Sequence, residues 1–187
     1  MNKNYNWKQL SSKTVFEQSW FKTKVDVCQL PDGRIFDSYF TVEVPNWCNA
    51  IIITEDEKMV LVKQYRYPIN KITYELPGGL IEQNENPMQA TLREMQEETG
   101  YTSKNIELIL TVAPNPALQS TTAYFYLVTN AIQTQKQSFD EFEELTIELV
   151  DKNSIKELLA NNAIQHGVQI GAIYQALLKL GWISWQF

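Results

Sequence analysis

The feature of the sequence that most constrains the fold is a predicted helix, because residue types typical of helix ends indicate both where it begins and where it ends. Asn86 is a favoured capping residue, Pro87 suits the first helical position, and Gly100 is the residue type that most often follows a helix. Strand-like runs flank this helix at about 49–54, 58–66, 72–76, 105–112, 121–129 and 144–150, and further helices are predicted at about 153–160 and 167–180. This mixture predicts an α/β (α+β) fold with a mixed sheet.

The length of 187 residues fits one domain with a small appendage. Residues 20–44 are rich in β-formers, and the turn residues of Leu30-Pro-Asp-Gly33 predict an antiparallel hairpin. We therefore predict an N-terminal β-element at residues 1–45 and a larger domain at residues 46–187.

Composition excludes several classes of function. The 16 Lys and Arg residues against 22 Asp and Glu give a net charge of −6, which argues against a nucleic-acid partner. Cys28 and Cys48 form no CxxC pair and His166 is the only histidine, so no zinc site is expected, and His166 is interpreted as a polar surface residue or a helix cap. The cysteines are expected to stay reduced, the N-terminus lacks the apolar core of a signal peptide, and no apolar run is long enough to span a bilayer. The sequence therefore predicts a cytoplasmic protein without membrane contact.

The helix predicted between Asn86 and Gly100 has one acidic face and one apolar face. Glu94, Glu97 and Glu98 cluster at i, i+3 and i+4, on a face that helical geometry separates from the apolar one. The predicted buried stripe is Met88, Thr91, Leu92, Met95 and Thr99. Just upstream, Pro77-Gly-Gly79 lets the backbone approach a ligand closely. Carboxylates and backbone carbonyls are the ligands that Mg²⁺ prefers, so a metal site is predicted here.

The spacing of these residues resembles a known signature. Gly79, Glu85 and the run from Arg93 to Tyr101 are similar to the box of the Nudix hydrolases, over 23 residues. The resemblance implies an α/β/α sandwich and the hydrolysis of a nucleoside diphosphate derivative, with Mg²⁺ or its substitute Mn²⁺ as cofactor. It also implies a set of metal ligands, namely Glu94, Glu97, Glu98 and the carbonyl of Gly78. Glu85 and Arg93 would form an ion pair, and Arg93 and Glu97 are candidate catalytic residues.

The strand pair before the box resembles the ADP-ribose and nucleotide-sugar pyrophosphatase branch of that family. By this likeness Arg66 would contact the diphosphate, and Trp20, or else Trp47, would stack on the base. The branch also implies a homodimer formed through the N-terminal β-element at residues 1–45, which would serve substrate contact as well. One segment departs from the branch pattern, because residues 116–121 read Pro-Ala-Leu-Gln-Ser-Thr and lack its glycine and acidic residues. ADP-ribose itself is therefore less firmly implied than a related nucleoside diphosphate sugar.

The branch often takes a general base from the loop that precedes its last strand. The register favours Glu143, with Glu141 and Glu144 as the neighbours that a small shift would select. Two other functions stay open: hydrolysis of a dinucleotide, NADH or an oxidised nucleotide, and non-catalytic sensing of a nucleotide sugar.

Overall fold

A computed structural model describes residues 5–138 and 144–185 and divides the chain into two units. The first unit contains the chain up to Asn46 together with Ala113–Thr122. The second unit contains Trp47–Val112 and the chain from Ala123 onward. The grouping of residues 113–122 with the N-terminal unit was not predicted from the sequence.

The first unit is built on an antiparallel sheet of three strands, β1 (Lys8–Gln18), β2 (Phe21–Gln29) and β3 (Ile35–Glu43). The predicted turn between β2 and β3 is confirmed, with the Gly33 N–H donating to the Leu30 carbonyl at 3.0 Å and a Gly33 φ of 89°. The prediction of a hairpin alone was incomplete, because β1 adds a third strand. All 11 residues of β1 are exposed.

The segment that departs from the branch pattern is held against β3. The Val42 N–H donates to the Leu118 carbonyl at 2.8 Å, and the Tyr39 hydroxyl donates to the Ala117 carbonyl at 2.9 Å. Thr121 Oγ1 donates to the Val44 carbonyl at 3.1 Å. These bonds account for its place in the first unit.

The described residues of the second unit form a seven-stranded mixed sheet and three α-helices. Its strands and helices are β4 (Trp47–Thr54), β5 (Met59–Arg66), a 3₁₀ turn (Tyr67–Ile69), β6 (Lys71–Glu75), α1 (Pro87–Thr99), β7 (Tyr101–Thr102), β8 (Asn105–Val112), β9 (Ala123–Gln133), β10 (Leu145–Val150), α2 (Lys152–Ala160) and α3 (Gly167–Lys179). The strand order is β10-β5-β4-β9-β7, with β6 on β5 and β8 on β9. The β4–β9 pair is parallel and the other pairs are antiparallel.

The sheet lies between two helical layers, as the alternation of side chains along β4 shows. Ile52 packs with Met95 of α1, whereas Ile51 packs in a cluster with Ile155 of α2 and Ile173 of α3. Successive strand residues point to opposite faces, so both faces of this strand are buried. The predicted α/β/α sandwich is confirmed.

Helix α1 has the ends that were predicted. The Asn86 side chain accepts from the Met88 N–H at 2.9 Å, and Gly100 adopts a left-handed conformation with a φ of 72°. Its buried side was predicted less well: Met88 is exposed, whereas Glu98, assigned to a separate acidic face, is only 6% exposed. The helical wheel was wrong on this point because the loop after β6 covers Glu98.

Several smaller predictions can also be compared with the structure. Ile173, Ala176 and Leu177 lie on the buried face of α3. Cys28 and Cys48 are both free thiols. None of the helices formed by the described residues is both long and apolar enough to cross a membrane.

Candidate active site

Two buried amide side chains fix the loop that follows β6. Asn49 Nδ2 donates to the carbonyls of Leu76 and Pro77 at 3.1 and 3.2 Å. Gln169 Oε1 accepts from the Leu76 N–H at 2.8 Å, and its Nε2 lies 3.4 Å from Asn49 Oδ1. Buried polar groups of this kind are costly to leave unpaired, so the bonds hold the loop in one position.

The two glycines of this loop permit a close approach to α1. A Cβ on Gly79 would lie 2.5 Å from Glu94 Oε1, and one on Gly78 would lie 2.1 Å from the Cys48 carbonyl oxygen. Gly78 also has a φ of +149°, which disfavours other residues. Its N–H donates to Glu98 Oε2 at 2.8 Å. Within the described residues its carbonyl accepts no hydrogen bond, so the predicted ligand atom has no competing donor there.

The glutamates of α1 differ in exposure. The side chain of Glu94 is 13% exposed and that of Glu97 is 45% exposed, while Glu98 is buried. Cys48 lies among these groups, and its burial raises the pKa of the thiol to about 11. We call Gly78, Gly79, Arg93 and the three glutamates the acidic wall.

Arg93 holds the acidic wall together. Its Nε and Nη2 each lie 3.0 Å from a different oxygen of Glu85, and its Nη1 lies 2.9 Å from Glu94 and 3.1 Å from Glu97. Nη2 also donates to the Leu80 carbonyl. The bonds to Glu85 are the main cause that raises the pKa of Arg93, and they lower the pKa of Glu85. The predicted Glu85–Arg93 ion pair is confirmed.

A second arginine pairs with a buried glutamate on neighbouring strands. Arg66 of β5 donates through Nε and Nη2 to the two oxygens of Glu75 on β6, at 2.8 and 2.6 Å. Gln64 Nε2 lies 3.4 Å from Glu75 Oε2. Arg66 was predicted from the sequence as a site residue, whereas Glu75, the last residue of β6, was missed.

His166 occupies the N-cap of α3 beside this pair. Its Nδ1 accepts from the Gln169 N–H at 3.4 Å, and its ring meets the Trp47 ring edge to face at 5.4 Å. Burial lowers the pKa of the imidazole. Of the two interpretations of His166, a polar surface residue or a helix cap, the structure shows the helix cap. We call Gln64, Arg66, Glu75 and His166 the sheet wall.

Both walls line one cleft of about 980 Å³. Among its described lining residues, six carboxylates face two guanidinium groups. The carboxylates belong to Glu75, Glu82, Glu94, Glu97, Glu98 and Glu144, and the cations are Arg66 and Arg93. Because the carboxylates outnumber the guanidinium groups, and both guanidinium groups are already paired with glutamate, the lining of the cleft has an excess of negative charge.

The donor chemistry of the acidic wall suits a magnesium ion. Carboxylate oxygens beside a backbone carbonyl are the hard ligands that Mg²⁺ takes, and the two glycines allow the close approach that this requires. In the described part of the chain, no three His, Cys, Asp or Glu side chains already converge as a chelating group. Arg93 Nη1 lies between two of these glutamates, at 2.9 Å from Glu94 and 3.1 Å from Glu97.

The remaining predicted residues are placed as follows. Trp20 lies in the turn between β1 and β2 of the first unit and is 59% exposed. Trp47, the alternative aromatic residue, lines the cleft. Glu144 also lines the cleft, whereas Glu141 and Glu143 lie outside the described residues.

Comparison with known proteins identifies the class of protein. Residues 47–168 match the NUDIX domain family, and residues 7–42 match a nucleoside diphosphate sugar hydrolase N-terminal domain. The chain therefore belongs to the NUDIX family of hydrolases.

Individual relatives agree with this assignment. The chain is 30% identical to the methanol dehydrogenase activator of Bacillus methanolicus, over 79% of this chain and 83% of the relative. It is 29% identical to the ADP-ribose pyrophosphatase of Bacillus subtilis, over 85% of this chain and 94% of the relative. A crystal structure of an ADP compounds hydrolase has the same fold, with a TM-score of 0.82 at 17% identity over 97% of this chain and all of that one.

Proposed function

We propose that the protein hydrolyses the diphosphate of ADP-ribose, or of a related nucleoside diphosphate sugar, in a reaction that depends on Mg²⁺. The products would be a nucleoside monophosphate and a sugar phosphate. One observation carries the proposal: within a NUDIX domain, the carboxylates of α1 lie against Gly78 and Gly79 in a large cleft. The pyrophosphatase among its relatives and the matched N-terminal domain support this substrate class.

The charge of the cleft supports the need for a divalent ion. A diphosphate is an anion, and the lining already has an excess of carboxylates over cations. Bound Mg²⁺, or Mn²⁺ in its place, would neutralise the charge that develops on the diphosphate during hydrolysis. Its ligands would be Glu94 and Glu98, with Glu97 and the Gly78 carbonyl.

The other residues take distinct roles. Arg93 would keep the acidic carboxylates in position, and Arg66 would donate to the diphosphate. In hydrolysis the oxygen of water bonds to one phosphorus, the bond from that phosphorus to the bridging oxygen breaks, and the water proton passes to a carboxylate. We assign that base to Glu143, with Glu141 and Glu144 as alternatives.

The proposal also covers assembly and location. The first unit exposes large apolar side chains, so we expect residues 1–45 to form a homodimer interface and Trp20 to contact the base. These side chains are Trp7, Leu10, Val15, Phe16, Trp20, Ile35, Phe36 and Phe40. Sedimentation at micromolar concentration should show a dimer, and a uniform monomer would contradict it.

The two free thiols accord with a cytoplasmic location.

A substrate panel tests the function. The purified protein, stripped with EDTA and then supplied with Mg²⁺, would be assayed for monophosphate release from ADP-ribose, ADP-glucose, GDP-mannose, UDP-sugars and NADH. We expect hydrolysis of ADP-ribose or a nucleotide sugar, with no turnover in the chelator. Preferred cleavage of NADH would revise the substrate, and binding without hydrolysis of any compound would instead indicate a sensor.

A further inference from the structure

The pair formed by Glu75 and Arg66 is strongly asymmetric. The Glu75 side chain is 4% exposed, whereas the Arg66 side chain is 49% exposed. The anion of the pair is therefore buried and the cation is half-exposed, and both line the cleft. A buried carboxylate is costly without a partner, so Glu75 holds Arg66 in place whether or not a substrate is bound.

The bonds between the two residues leave one part of the guanidinium available. Nε and Nη2 donate to the two oxygens of Glu75, which fixes the plane of the group. Among residues 5–138 and 144–185, Nη1 of Arg66 has no hydrogen-bond acceptor. In Arg93, by contrast, all three nitrogens donate to protein oxygens.

We infer that Glu75 is a positioning residue, which orients the Arg66 guanidinium so that its Nη1 is ready to donate to a phosphate oxygen of the substrate. This inference rests on the proposed function, because the substrate must be a nucleoside diphosphate. A side chain that is ordered in advance binds more tightly, since less conformational freedom is lost on binding. Glu75 does not touch the substrate and acts only through Arg66.

The experiment compares Glu75→Gln, Arg66→Met and the double variant, with ADP-ribose and Mg²⁺. Glu75→Gln keeps the size of the side chain and removes its charge. We expect each single variant to raise KM about tenfold while kcat stays within about threefold, the size expected for one lost charge-assisted hydrogen bond. The double variant should resemble Arg66→Met, because a positioning residue has no effect once the residue it positions is gone.

Glu148→Gln is the matched control, because Glu148 pairs with Lys63 at 3.9 Å on the same sheet but does not line the cleft. It should leave KM unchanged. If Glu75→Gln does not fold, Arg66→Lys replaces it, since lysine keeps the charge but cannot form the two parallel bonds. A KM equal to that of the wild type in Glu75→Gln, or in Arg66→Lys where it is used instead, would overturn the inference. A KM of the double variant about ten times that of Arg66→Met would also overturn it.

A binding measurement separates this inference from the proposed function. Calorimetry with ADP-ribose in excess EDTA measures affinity without turnover, and Glu75→Gln should weaken it about tenfold. If the wild type binds ADP-ribose but hydrolyses no compound of the panel, the proposed function fails. The difference in ADP-ribose affinity between the wild type and Glu75→Gln still decides the role of Glu75. Equal affinity in the wild type and in Glu75→Gln would overturn the inference.

Discussion

The acidic wall and the sheet wall of the cleft both pair arginine with glutamate, but in different proportions. In the acidic wall, Arg93 is shared among Glu85, Glu94 and Glu97. In the sheet wall, Arg66 has one carboxylate partner among the residues that the structure describes, the buried Glu75. An arginine among several carboxylates organises them, whereas an arginine with one buried partner keeps a donor for an incoming anion. If the proposed function holds, we expect the acidic wall to bind the metal and to determine the rate, and the sheet wall to determine substrate affinity.

The largest effect is expected in the acidic wall, from Glu98→Gln. The amide can still accept from the Gly78 N–H, so the fold should persist, but the negative charge for the metal is lost. We expect kcat to fall by about 100-fold or more, with a KM close to that of the wild type. Steady-state kinetics with ADP-ribose measures both constants. Glu107→Gln is the control because Glu107 forms an exposed pair with Lys179, and equal rates in the two variants would remove Glu98 from the site.

A smaller effect is expected from Gly79→Ala, which moves a carboxylate without removing it. The new Cβ would displace the Glu94 side chain, which lies 2.5 Å from that position. Because the displaced atoms are the end of a flexible side chain, we expect kcat to fall about tenfold with a melting temperature within about 3 °C of the wild type. Gly171→Ala is the control, since its Cβ would meet no atom within 4 Å. Full activity in Gly79→Ala would show that the close packing against Glu94 is unimportant.

Local features of the site were predictable from sequence and long-range pairings were not. Asn86 and Gly100 act on the nearest turns of α1, so the ends of the helix could be predicted. The burial of Glu98 depends on Gly78, 20 residues away, and a helical wheel takes no account of a covering loop. The Glu75–Arg66 pair depends on the register of two strands joined by a 3₁₀ turn. The contact of Gln169 with Asn49 spans 120 residues, and no local pattern indicates it.

The smallest effect is expected in the sheet wall, on stability and not on rate. Burial lowers the pKa of His166, so below its ordinary value of about 6.5 the unfolded chain binds a proton that the folded chain resists. The free energy of unfolding should therefore decrease as the pH falls through about 6.5. His166→Asn keeps a capping side chain that does not titrate, so denaturant unfolding at pH 7 and pH 5.5 should show a smaller loss. An equal loss in both proteins would exclude His166 as the cause.

The division between the walls is tested most directly by making the same substitution in each. In Arg93→Lys and Arg66→Lys, two constants would be measured, the Mg²⁺ concentration for half-maximal rate and the KM for ADP-ribose. Lysine keeps the charge but cannot bond several oxygens in a fixed plane. We predict that Arg93→Lys raises the Mg²⁺ requirement and lowers kcat with little change in KM, and that Arg66→Lys raises KM alone. Equal changes of both constants in both variants would contradict the account.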